Sequence, residues 1–173
     1  RPGQAGRRPA APGGEARRIT NDLNDYSTIS LDSSSTNLVS VQVQTLSNIY
    51  LQQGEQRALN PTQITIGSGR YFDLSWAADG GVLYASDATG SADLWMMNAD
   101  GSNQRQLTSG RGRSYAPASS ADGKWIAFHS NANGNWNIWR VRADGSNPIQ
   151  LTTDVQDSNW PQFTADSSAL VFH

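Results

Sequence analysis

Pro117-Ala-Ser-Ser-Ala-Asp-Gly-Lys-Trp-Ile-Ala-Phe128, followed by Asn137-Ile-Trp139 and then by Ala143-Asp-Gly-Ser146 ahead of Leu151-Thr152, is the stretch that decides the fold. Asp122-Gly123 and Asp144-Gly145 are turn dipeptides, since Gly supplies the positive φ of a tight hairpin at no steric cost. The runs between them are short and rich in aromatic and β-branched residues, which fit a pleated, half-buried surface. Four strands are therefore expected, near residues 115–119, 125–129, 136–141 and 148–151.

Working outward, the same landmarks return at a fixed step. Ile/Leu-Thr pairs stand at Ile19-Thr20, Ile64-Thr65, Leu107-Thr108 and Leu151-Thr152, spaced by 45, 43 and 44 residues. Asn48, Asp93 and Asn137 each precede an apolar-x pair, Ile49-Tyr50, Leu94-Trp95 and Ile138-Trp139. Asp79-Gly80 and Asp166-Ser167 match Asp122-Gly123, and Asp100-Gly101 matches Asp144-Gly145. Four strands in about 44 residues, with no sustained helical periodicity, match a blade of a β-propeller and not a helical repeat. The fold class expected is all-β: a β-propeller of about three and a half four-stranded blades, as a partial ring or one completed by an oligomer.

The 173 residues are polar, with a mean hydropathy of -0.57, yet six Trp, five Tyr and four Phe are too many for a solvated coil. Net charge is -2, but residues 1–20 hold five Arg and one Glu, leaving the remainder about six negative. An acidic body offers no footprint for nucleic acid. With no Cys, thiolate chemistry is excluded. No apolar run approaches the roughly 20 residues of a membrane span, so no membrane insertion is expected in this segment. Residues 1–13, with three Pro, three Gly and three Arg, read as a flexible linker.

The run from Pro117 through Thr152 resembles the TolB-like (WD-like) β-propeller repeat. The second repeat resembles it as well, through Asp79-Gly80, Asp93-Leu-Trp95 and Ala99-Asp-Gly-Ser102. The first, from Asn21 to Thr65, is a looser match, because Ser34-Ser35 replaces one turn dipeptide and Gln53-Gly-Glu55 the other. Its opening, Arg18-Ile-Thr-Asn-Asp-Leu-Asn-Asp-Tyr-Ser27, is similar to propeller regions that follow the kinase domain of some bacterial serine/threonine kinases. The resemblance covers roughly residues 15–173 and divides them into an outer strand 14–20, blades 21–65, 66–108 and 109–152, and a half blade 153–173. It implies a periplasmic or extracytoplasmic setting, though the residues themselves fix no compartment.

Such a chain has an unpaired strand at either cut end, an edge that β-proteins usually cover. It could be a piece of a longer propeller, a strained four-bladed ring, or half of a ring that two copies close. The resemblance favours the first; a start without Met is expected of a chain that is processed or is a piece of something longer.

No Gly-x-Ser-x-Gly elbow, Walker loop or kinase Asp-Phe-Gly is present. The two imidazoles, His129 and His173, occupy equivalent positions expected to lie apart in successive blades. The pairs Asp22/Asp25 and Asp154/Asp157 lack the alternation of a calcium loop. No catalytic residue, metal site or cofactor is therefore expected. Tyr50, Trp95 and Trp139 share one register on third strands and are expected as packing between blades. A partner site belongs on the loops that enter the innermost strands: Asn24, Asp25 and Tyr26; Arg70, Tyr71 and Asp73; Arg113, Ser114 and Tyr115; Ser158, Asn159 and Trp160. Of these, Asp25, Tyr26, Arg70, Tyr71, Arg113, Tyr115, Asn159 and Trp160 are the candidate channel rim, because Tyr, Trp and Arg dominate binding hot spots.

The expected function is a non-catalytic binding or interaction scaffold for a protein or peptide partner, such as a sensor or docking region of a larger bacterial protein. Self-association through open blade edges is a further expectation. The alternatives are the substrate-gating propeller of a serine peptidase whose catalytic domain lies elsewhere, and a self-assembling repeat module.

Overall fold

The structure is a computed structural model that describes residues 25–43, 45, 47–52, 54, 61–67, 69–110, 112–153 and 155–173. The linker 1–13, the outer strand 14–20, Asn24 and Asp154 lie outside these residues.

All regular structure among the described residues is β. The hairpin β1 (Asp25–Leu31) and β2 (Leu38–Val43) is followed by the short pair β3 (Tyr50–Leu51) and β4 (Thr62–Gln63). Then come β5 (Tyr71–Trp76), β6 (Val82–Ser86), β7 (Asp93–Met97) and β8 (Arg105–Gln106), and after them β9 (Ser114–Ser119), β10 (Trp125–Ser130), β11 (Asn137–Arg142) and β12 (Ile149–Gln150). The last pair is β13 (Gln162–Phe163) and β14 (Leu170–Val171). β5-β6-β7-β8 and β9-β10-β11-β12 are four-stranded antiparallel sheets in simple meander order. Among the described residues the first repeat instead gives two two-stranded sheets, β1-β2 and β3-β4.

The turns form as the dipeptides dictate. Gly80, Gly101, Gly123 and Gly145 all have positive φ, and so does Ser167 where Ser replaces Gly. The repeat landmarks also explain one another. Thr108 Oγ1 accepts the Leu94 N–H at 2.9 Å and donates to Asp93 Oδ1 at 3.0 Å. One blade later Thr152 Oγ1 accepts the Ile138 N–H at 2.9 Å and donates to Asn137 Oδ1 at 3.1 Å. Thr65 accepts the Ile49 N–H in the same way at 2.8 Å. This clasp satisfies a backbone donor where the outer ladder ends, so Thr and Asx recur together at the blade period.

Sheets are stitched to their predecessors at two points. A backbone N–H at or just ahead of each inner strand reaches back to the loop before the previous third strand: Tyr71 N–H, opening β5, to Ser47 Oγ, Ser114 N–H, opening β9, to Ala92 O, and Ser158 N–H, four residues before β13, to Trp136 O. The outer turns also press backward. A Cβ on Gly145 (φ +87) would stand 2.7 Å from the Leu107 carbonyl oxygen, so no side chain fits there.

Alternation splits β6 between two cores. Val82 and Tyr84 join Ile49, Ile64 and Met97, whereas Leu83 and Ala85 join Leu94, Leu107, Ile126, Phe128 and Val141. Every residue of β6 is buried, as expected of a strand covered on both faces. Trp95 and Trp139 pack against these cores as expected. Tyr50, at the same register, is 54% exposed, because no earlier sheet covers it among the described residues.

Candidate functional site

β9 packs across β5, β6 and β7 on one side and touches β13 on the other, so the inner strands β5, β9 and β13 lie side by side. β5 and β9 carry the same irregularity, and the residues leading into β13 repeat it, Asn159 pairing with His173 one step out of register with Gln162 and Val171. The pairing register slips between Phe72 and Leu74 in β5, and opposite Ala127 to His129 in β9. Asp73 (φ 38), Ala116 (φ 50) and Trp160 (φ 48) hold the left-handed conformation at equivalent places. Non-Gly residues occupy this region at a cost and persist where the surroundings impose it. The three bulged residues line one groove of about 180 Å³ with Pro117, Pro161 and Gln162. The groove is cross-tied by the Ala116 N–H, which donates to Asp73 Oδ2 at 3.1 Å.

An aromatic chain runs beside it. Phe72 meets Tyr115 edge-on at 5.6 Å, and Tyr115 lies 5.8 Å from Trp136 and 5.9 Å from His129. His129 stands edge-on to Trp136 at 5.2 Å and to Trp160 at 5.9 Å, and Trp160 stacks on His173 at 4.8 Å. The Trp160 backbone N–H donates to His129 Nδ1 at 3.1 Å, which places the neutral ring's proton on Nε2. Burial holds the His129 pKa below its ordinary value; the Asp73 carboxylate works against that shift and His173 adds to it.

The imidazoles are thus nearer than their sequence spacing suggested, joined through the single indole of Trp160. Tyr71 and Tyr115 are half-buried and pack against the cores. Arg70 is engaged by Asp87, its Nε 2.7 Å from Oδ2. Arg113 is exposed and its N–H is held by Asn131 Oδ1 at 2.7 Å. Asn159 is half-buried and its N–H and C=O pair with the backbone of His173, while Trp160 is 53% exposed. Asp25 and Tyr26 open β1, which has no contact with β5 comparable to that between β5 and β9. Sequence reasoning missed Trp136, His129 and Ala116 as parts of this region. The signal that could have found them is Pro117 and Pro161, each one residue past the bulge.

Among the described residues no group of three or more His, Asp or Glu is placed to hold a metal ion, and no helix is long and apolar enough to cross a membrane. A family model of the TolB beta propeller domain matches residues 28–173. The chain belongs to that family. A solved TolB-type structure from Agrobacterium tumefaciens is 31% identical with a TM-score of 0.59, over 65% of this chain and 40% of that one. TolB from Acinetobacter baumannii is 23% identical with a TM-score of 0.60, over 68% of this chain and 30% of that one. Dipeptidyl peptidase 4 from Porphyromonas gingivalis is 16% identical with a TM-score of 0.59, over 90% of this chain and 23% of that one, and shares the fold. The chain spans less than half the length of these TolB-type structures. A search of curated proteins found no match.

Proposed function

We propose that this TolB-type propeller segment is a non-catalytic binding scaffold that takes a protein or peptide partner in the groove across β5, β9 and β13, in an extracytoplasmic setting. The observation that carries the proposal is the half-exposed Trp160, held rigidly by its stack on His173, its edge contact to His129 and its backbone hydrogen bond, at the mouth of a groove formed by strained backbone. A large aromatic ring already fixed in place costs little further entropy on binding, which is why Trp anchors so many interfaces. Asp73, in the same groove lining, supplies a negative charge for orientation. The scaffold reading is preferred to a peptidase-gating one because the likeness to the Agrobacterium TolB is 31% in sequence, whereas that to the peptidase is one of fold alone.

Selection of displayed random peptides on the purified chain tests this. Enriched peptides should bind the wild type and lose affinity at least about tenfold on Trp160→Ala, with the melting temperature unchanged. Failure to enrich any peptide, or equal binding by the variant, overturns the proposal.

A further inference from the structure

Apart from the inner-strand groove, successive sheets differ in how they meet. Where β5–β8 packs on the first repeat, Tyr71 lies opposite Ser86 and its ring fills the interface, 5.6 Å from Tyr84. Its hydroxyl reaches to 3.2 Å from where a Cβ on Gly67 would stand. One blade later Ser114 holds the place of Tyr71, opposite Ser130, with Phe128 in the place of Tyr84 and Gly110 in that of Gly67. The volume that a phenol fills in the first interface is here a cleft of about 440 Å³. Asp93, Thr108 and Gly110 of one sheet and its following loop face Ser114, Phe128, Ser130 and Trp139 of the next across it.

Ser114 and Ser130 are buried and their hydroxyls lie 3.3 Å apart. The cleft therefore has an aromatic wall and a small polar floor, and its size is that of ordinary ligand pockets. The Ser-Phe combination recurs at Ser158 and Phe172, beside another opening of about 380 Å³.

The geometry points to a binding site for a para-substituted phenol between β5–β8 and β9–β12, with the ring against Phe128 and Trp139 in the position that Tyr71 takes in the preceding interface. The phenol is either a tyrosine side chain of a partner or a free small molecule.

The test follows the Trp139 indole N–H and the Ser114 and Ser130 amides by NMR while 4-methylphenol or N-acetyltyrosinamide is added. Saturable shifts in the millimolar range are expected for the wild type. Ser114→Tyr, which copies the Tyr71 arrangement, should weaken binding at least about tenfold while keeping a dispersed spectrum. If that variant does not fold, Ser109→Trp at the exposed mouth serves in its place. Binding of both ligands marks a tyrosine residue as the occupant, and binding of 4-methylphenol alone marks a free phenol. Absence of saturable shifts with either, or equal binding when the cleft is filled, overturns the inference.

Discussion

The hydroxyl of Thr152 works in two directions at once, accepting from the Ile138 N–H and donating to Asn137. Val has the same shape and neither capacity. Thr152→Val should lower stability by about 1–3 kcal/mol, because a backbone donor loses its acceptor at a half-buried site, while Thr152→Ser should recover most of the loss. Urea unfolding measures it; equal midpoints for Val and Thr would mean that water takes over the hydroxyl's part. The Ile/Leu-Thr pairs and the Asx positions were legible as a repeat because this local bond demands the same two residue types every blade. Ser114 gave no such signal, since its importance lies in what it fails to fill.

At the scale of elements, the hairpin turns are held by carboxylates. Asp122 accepts from the Ser120 hydroxyl at 2.7 Å and is paired with Lys124, and its pKa falls to about 2. Asp166 accepts from Thr164 at 2.6 Å and from Ser168, and also falls to about 2. A carboxylate whose folded pKa lies below its ordinary 3.8 contributes stability that is present above that value and lost as pH falls toward 2. His129, held neutral by burial, contributes stability that is present above its ordinary 6.5 and lost as pH falls through its lower folded value. The melting temperature should therefore decline below pH 6.5 and again from pH 4 to pH 2. Asp122→Asn should flatten the second decline; an unchanged slope there would mean that this turn opens before it titrates. Asp-Gly turns are read directly from the sequence, but the bulges at Asp73, Ala116 and Trp160 are not, because none of the three is Gly and only the Pro after two of them marks the register slip.

For the whole molecule the open edges dominate. Val171 is 64% and Phe172 44% exposed, and on the β1-β2 hairpin Ile29, Leu31, Val39 and Val41 are all more than half exposed. Apolar strands left uncovered are templates for pairing with another chain. Light scattering should show a mass that rises with concentration, and Val171→Lys should shift it toward the ~19 kDa monomer, since charge on an edge discourages pairing. A concentration-independent monomer for the wild type would mean that the chain covers its own edges.

What the sequence alone determined is what short-range chemistry repeats: the blade period, the turn dipeptides, the Thr–Asx clasp and the all-β architecture, each set by bonds within one sheet. Only the tertiary structure decided what depends on one sheet's position against the next. Trp160 joins His129 to His173, Tyr71 and Tyr115 lie half-buried against the cores, and the Tyr71-to-Ser114 exchange opens a cleft. Each of these is set by side chains brought together from strands or whole blades apart, and no residue's own type or local spacing encodes that distance.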